Sequence, residues 1–309
     1  MKRIARICIG LLALLPGVSS CLTEDMSDCI GQTVALRFIF THHDHTEEVT
    51  DLFTEWVEDI SVYIFDENDT YLRHIQVPQR SLTDGHTLYI DLEEGEYKIV
   101  AWANLLEMSA LVENNGEPSR TEYTVGVTET HSAITDLFHG STSFMIEDKD
   151  ITQEISLIRN THIVRVMLLG LPDPTRSTID DTGYSVVIEG KNTRFDFENN
   201  PVTDVTTTYI PEYSELYIDP TYVIQAGFKV QRLLTGDDIR LTILNGEEIE
   251  MDDHLTGRIL DAYEEIVTDH DLDRQYIYEL YYETNYRGGW VFLGNNIKDW
   301  DGSHMPGEL

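Results

Sequence analysis

From Gln32 onward the chain alternates: Val34, Leu36, Phe38 and Phe40 fall on one face and Ala35, Arg37 and Ile39 on the other, the period of two that a strand requires. Similar runs recur at residues 60–65, 71–77, 86–92 and 97–103, separated by turn formers such as Asp66-Glu67-Asn68-Asp69, Thr83-Asp84-Gly85 and Glu93-Glu94-Gly95. Strands at intervals of about ten residues predict a sandwich or a barrel. The pattern continues through 122–127, 142–146, 153–157 and the strongly apolar 163–171, until Pro172-Asp173-Pro174 breaks it. Beyond the prolines come 184–189, 194–197, 222–230, 239–244 and 248–251, for which a second sandwich is the economical reading. The predicted fold class is all-β, with two β-sandwich domains at 32–160 and 161–309.

Two segments depart from the period of two. Residues 48–58 set Val49, Phe53, Trp56 and Val57 at helical spacing, which predicts one to three turns across a sheet edge. Residues 255–266 place Leu255, Ile259, Leu260, Tyr263 and Ile266 on one stripe with Asp261, Glu264 and Glu265 opposite, an amphipathic helix. No repeat of fixed period runs through the chain, which argues against solenoids and propellers.

The first 20 residues follow a different rule. Lys2, Arg3 and Arg6 form a positive start and residues 7–15 an apolar core of nine, long enough for a cleavable signal and far short of the roughly 20 residues of a spanning helix. Ser19 and Ser20 sit just before Cys21, as a lipoprotein signal peptidase requires. Cleavage there makes Cys21 the new N-terminus and the predicted lipid-attachment residue, and two or more acyl chains give durable membrane attachment. Residues 21–31 then read as a lipidated acidic spacer. Its Glu24-Asp25 resembles a signal that sends lipoproteins to the outer leaflet of the outer membrane.

Removing residues 1–20 takes three of the 21 Lys+Arg and none of the 56 Asp+Glu, so the mature chain carries 18 basic against 56 acidic groups, a formal charge of −38. Such a surface repels nucleic-acid phosphates and anionic head groups, so no nucleic-acid partner is expected. The 41% hydrophobic content and 16 tyrosines suit packed cores rather than disorder. Of the three cysteines, Cys8 leaves with the signal and Cys21 becomes a thioether, leaving Cys29 without an intramolecular partner and the fold without a disulfide framework.

Candidate chemistry is sparse. In His42-His43-Asp44-His45 only His43 and His45 converge on one strand face, too few ligands for a metal site. Asp269-His270-Asp271-Leu272-Asp273 has acids at positions 1, 3 and 5 of a calcium loop, but Arg274 replaces the glycine of position 6 and Leu280 the glutamate of position 12. Asp66-Glu67-Asn68-Asp69 fails in the same way. The aromatics Tyr276, Tyr278, Tyr281, Tyr282, Tyr286 and Trp290 form either a glycan platform or, more simply, the two faces of a buried strand. No nucleophile elbow, phosphate loop, dinucleotide fingerprint or His-Glu-x-x-His occurs. The reading is therefore of no enzyme, with no catalytic residue, cofactor or metal.

Several of these segments together resemble the FimB/Mfa2 family of fimbrial anchor lipoproteins. The resemblance runs from Cys21 and the spacer to Asp28-Cys29, through the strand of Val34 to Phe40 and Ile60-Ser61-Val62-Tyr63-Ile64-Phe65-Asp66, to its most specific piece, Gly95-Glu96-Tyr97-Lys98-Ile99-Val100-Ala101-Trp102-Ala103-Asn104. Later come Leu137-Phe138-His139-Gly140, Leu157-Ile158-Arg159-Asn160, Leu169-Gly170-Leu171, Leu272-Asp273-Arg274-Gln275 and Ile297-Lys298-Asp299-Trp300. It implies transthyretin-like sandwiches and a non-enzymatic role, in which the chain tethers the base of a fimbria to the outer membrane through lipid at Cys21 and limits its length. The implied partners are fimbrial subunits joined by strand addition. The alternative is a surface glycan-binding or adhesin lipoprotein.

Overall fold

The computed structural model describes residues 32–295 apart from 43–49, 84, 106–109, 115–122, 128–129, 132–133, 148, 172–182, 203–204, 219–220 and 285–288. The first half contains β1 (Gln32–Ile39), β2 (Thr41–His42), β3 (Thr50–Asp51), the single-turn helix α1 (Phe53–Trp56), β4 (Asp59–Asp66), β5 (Tyr71–Pro78), β6 (Thr87–Leu92) and β7 (Gly95–Ala103). There follow β8 (Ala110–Asn114), β9 (Tyr123–Val127), β10 (Thr130–His131), β11 (Phe138–Ile146), β12 (Ile151–Ser156) and β13 (Ile158–Arg159). A three-stranded sheet ordered β12-β1-β6 packs on a five-stranded sheet ordered β13-β11-β7-β4-β5.

Alternation explains that packing. Val34, Leu36 and Phe38 of β1 meet Ile60, Val62 and Ile64 of β4 and Ile99 and Ala101 of β7 in one core. The opposite face of β4 and β7 is apolar too, and Tyr63, Phe65, Val100 and Trp102 are covered by Val125 of β9 with Phe195 and Phe197. These strands are thus buried on both sides, which is why residues 59–65 show no exposed position. Gly140 of β11 is needed for closeness, because a Cβ there would lie 2.7 Å from the Ser156 carbonyl oxygen.

The second half contains β14 (Thr161–Leu169), β15 (Tyr184–Gly190), β16 (Arg194–Asp196), β17 (Thr207–Tyr209), β18 (Glu212–Ile218), β19 (Thr221–Gln231), β20 (Arg240–Asn245) and β21 (Glu248–His254). The helices α2 (Leu255–Ala262) and α3 (Asp269–Arg274), then β22 (Ile277–Thr284) and β23 (Trp290–Gly294), complete it. Sheets ordered β18-β19-β14-β22-β23 and β10-β17-β15-β20-β21 enclose a core that includes Val164, Val166, Val186, Ile188, Phe228, Leu280 and Tyr282, closed by Leu255 and Ile259 of α2. Two pairings cross residue 160: β9 bonds to β16 in a sheet with β8, and β10 runs parallel to β17.

The architecture is all-β, as the alternation predicts, with local differences. The helix expected within 48–58 is, in its described part, the one turn of α1. The helix expected over 255–266 stops at Ala262, where Tyr263 leaves helical geometry. The apolar run predicted to 171 ends as a strand at Leu169, because Gly170 takes φ +77° with the Thr284 carbonyl close by. Helix α3 is not foreshadowed by any apolar stripe. Among the described residues no helix is long and apolar enough to cross a membrane.

Candidate functional site: an N-terminal strand and a polar junction

The predicted lipid-attachment residue Cys21 lies outside the described residues, as do Cys29, His43, Asp44, His45, Tyr286 and residues 297–300. The first described strand, β1, is held on both sides. It pairs antiparallel with β6 over Gln32 to Arg37 and parallel with β12 over Val34 to Ile39. Side chains secure its ends: the Thr33 N–H donates to Asp150 at 3.0 Å, and the Phe40 N–H donates to Asp51 at 3.3 Å. Val34, Leu36 and Phe38 are fully buried and Phe40 nearly so. At about 1.5–3 kcal/mol per side chain, as an upper bound, these four contribute of the order of 10 kcal/mol. That equals the net stability of a typical folded chain, so β1 cannot leave without undoing the first core.

Past β1 and its sheet, and beside the apolar contact of Phe195 and Phe197, polar side chains join the two halves. The Asp136 carboxylate receives Arg159, Lys229 at 2.8 Å and the Thr161 hydroxyl at 3.1 Å. Burial pushes this carboxyl up, but Arg159 and Lys229 together outweigh burial and hold it below the usual aspartate value. The Arg159 guanidinium, whose side chain is 3% exposed, lies 4.7 Å from the Trp56 ring and 4.3 Å from the Tyr276 ring, bridging α1 to the start of β22. Asn104, in the left-handed region at φ +65°, accepts from the Glu58 N–H and donates to the carbonyls of Trp56 and Asp136. Asn160 and Asn199 exchange amide hydrogen bonds, and Arg232 grips Asp273 with two bonds of 2.7 Å while also donating to the Asn199 carbonyl. His162, fully enclosed, accepts from the Leu233 N–H through Nδ1 and donates to the Leu272 carbonyl through Nε2.

The segments that carry the family resemblance therefore converge: Asn104, Arg159-Asn160 and Leu272-Asp273 all build this junction. Asp136 and Lys229 escaped the sequence reading. Their partners are 23 and 93 positions distant in the chain, and no local spacing signals such a contact.

Other candidates disperse. Tyr278 and Tyr282 point into the second core, whereas Tyr281 packs on the opposite face with Met167, Leu169 and Val223. Tyr276 belongs to the junction and Trp290 stacks edge-on against Tyr184. They do not assemble a platform. Asp269, Asp271 and Asp273 sit on α3: Asp269 accepts from the Thr235 backbone and hydroxyl, Asp271 caps the helix and Asp273 binds Arg232. In the 66–69 turn, the Asp66 carboxylate accepts from the N–H groups of Asn68 and Thr70. Among the described residues no group of three or more His, Cys, Asp or Glu is placed to hold a metal.

These features define an all-β sandwich protein whose N-terminal strand is built into its core. The fold is shared with a candidate adhesin from Bacteroides thetaiotaomicron, at TM-score 0.73 and 21% identity over 86% of this chain and 99% of that one. It is also shared with a candidate polysaccharide-binding protein of the same species, at TM-score 0.69 and 21% identity over 85% and 96%. The fimbrial anchor protein Mfa2 from Porphyromonas gingivalis superposes at TM-score 0.67 with 17% identity over 85% and 95%. No curated protein sequence matches the chain. The model of the family "Fimbrillin-A associated anchor proteins Mfa1 and Mfa2" matches residues 26–302, and the chain belongs to that family. Membership carries a fimbrial or adhesin-like role and a cell-surface or fimbrial association.

Proposed function

We propose that this chain is a non-enzymatic lipoprotein that tethers the base of a fimbria to the outer membrane and limits its length. The observation that supports it most is the seating of β1. Ten residues, 22–31, separate it from Cys21, so acyl chains at Cys21 and a strand locked between β6 and β12 place membrane attachment and the first core in one continuous piece of backbone. Fimbrial subunits joined by strand addition gain cohesion from main-chain hydrogen bonds, and register from alternating side chains. A strand that cannot be released offers no groove for a further subunit at that site, which stops growth there. In this reading the division near residue 160 separates two domains, 32–160 and 161–309.

Deletion of the gene tests this. The expected result is fimbriae that are longer or shed into the medium while the major subunit is still made, with Cys21→Ser failing to restore retention. Unchanged length and retention of every fimbrial type would overturn the proposal. Saturable polysaccharide binding by the purified protein would then favour a surface glycan-binding adhesin.

A further inference from the structure

Two inner strands of the second half outrun a neighbour on one side, and side chains take up the groups left open there. β22 pairs with β14 along Ile277 to Glu283, but β23 covers its other side only over Tyr281 to Thr284. The Ile163 N–H donates to the Tyr276 carbonyl, so Tyr276, Tyr278 and Leu280 direct their backbone groups toward β14, and Ile277 and Glu279 direct theirs outward. Three of those four outward groups take side-chain partners. The Tyr263 hydroxyl accepts from the Glu279 N–H at 2.9 Å and donates to the Glu279 carbonyl at 3.4 Å, and the Gln275 amide donates to the Ile277 carbonyl at 3.0 Å. Tyr263 is placed by its position just after α2, its N–H bonded to the Ile259 carbonyl and its ring edge-on to Tyr278 at 5.5 Å. The facing sheet repeats the device. β17 covers β15 only over Ile188 to Gly190, and beyond its end the Val186 N–H donates to the Tyr213 hydroxyl at 2.9 Å.

A half-covered strand with outward N–H and C=O groups is a template for another chain. We infer that Tyr263 with Gln275 at β22, and Tyr213 of β18 reaching β15 in the facing sheet, close these two gaps against an incoming strand from a second copy of the chain.

The full chain carrying Tyr263→Ala and Gln275→Ala, which clears the β22 gap, is compared with wild type by light scattering over rising concentration. The expected result is concentration-dependent self-association absent from wild type. A folded double variant with wild-type association overturns the inference. Tyr263→Phe keeps the ring as a steric block and removes only the hydroxyl, so it is expected to associate as wild type does while protection from amide exchange at Glu279 falls about fivefold, the equivalent of roughly 1 kcal/mol. Unchanged exchange at Glu279 in that variant overturns the inference even if the alanine pair fails to fold. Fimbriae unaffected by gene deletion would remove the anchoring reading and leave these outcomes as they stand.

Discussion

β1 gives its backbone to two neighbours and its alternate side chains to a core, whereas β23, the last described strand, has β22 on one side only. Val34, Leu36 and Phe38 are fully buried, while in β23 Val291 is 47% exposed and Trp290, Phe292 and Leu293 are half-buried. Pulling on the first strand loads two ladders and the first core together; pulling on the last loads one short ladder. The chain has thus put its strongest attachment at the end nearer Cys21. The largest effect expected to test this contrast comes from paired truncations. Phe38→Ala should cost about 4 kcal/mol through lost burial and a residual cavity, and Val291→Ala under about 0.5 kcal/mol. Urea unfolding of both variants measures the difference. Comparable losses would mean that the two strands are equally expendable.

The contrast sharpens at the junction, where a charge-free histidine takes the place of a second core contact. Burial lowers the pKa of His162 from 6.5 to about 3, with Arg159 and Arg232 adding to the depression. With Nδ1 accepting from Leu233, a proton there breaks that bond. Between pH 6.5 and about 3 the unfolded chain binds the proton and the folded chain does not, so stability falls as pH falls, by up to about 1.4 kcal/mol per unit. By pH 5 the loss relative to pH 7.5 should reach about 2 kcal/mol. His74, also lowered by burial, adds in the same direction. Asp237 opposes it, since burial raises its carboxyl and lets the folded state take a proton first. His162→Gln should therefore flatten the slope between pH 7.5 and 5 without abolishing it. An identical slope in the variant would show that His162 does not set the pH dependence.

The strands were legible where one face is apolar and the other polar: β1, β5 and β6 follow from alternation alone. The buried pair β4 and β7 was legible from the length of the apolar run between turn formers. Several strands, β8, β17 and β18 among them, are missing from the sequence reading; in β17 and β18, Thr207-Thr208-Tyr209 and Glu212-Tyr213-Ser214-Glu215 carry too little apolar character to show a period. Their strand state is imposed by pairing with β15 and β19. The junction was legible only in fragments. Arg159, Asn160 and Asp273 stand in segments that resemble the family, but what joins them is tertiary, set by the left-handed turn at Asn104 and by Asp136 arriving from a separate loop.

The smallest effect concerns α3, whose Asp269, Asp271 and Asp273 have the opening of a calcium loop and the hydrogen bonds of a capped helix. The Thr268 hydroxyl accepts from the Asp271 N–H at 3.3 Å, and the Asp271 carboxylate accepts from the Thr268 N–H at 2.9 Å, satisfying two groups that a helix start leaves open. The Thr268 hydroxyl also donates to that carboxylate at 2.7 Å and, with the Val267 and Thr268 N–H groups, holds the Asp271 carboxyl below its ordinary pKa. The turn they stabilise presents the Leu272 carbonyl to His162 and Tyr278, and Asp273 to Arg232, so the cap supports the junction at one remove. Thr268→Ala should cost about 1 kcal/mol, a fall of roughly 2–4 °C in the unfolding midpoint for a chain of this size. Millimolar calcium should leave the wild-type midpoint where it is, because Asp269 and Asp273 are already committed to Thr235 and Arg232. A rise of several degrees with calcium, lost in Thr268→Ala, would show that the three acids serve a cation first and the helix second.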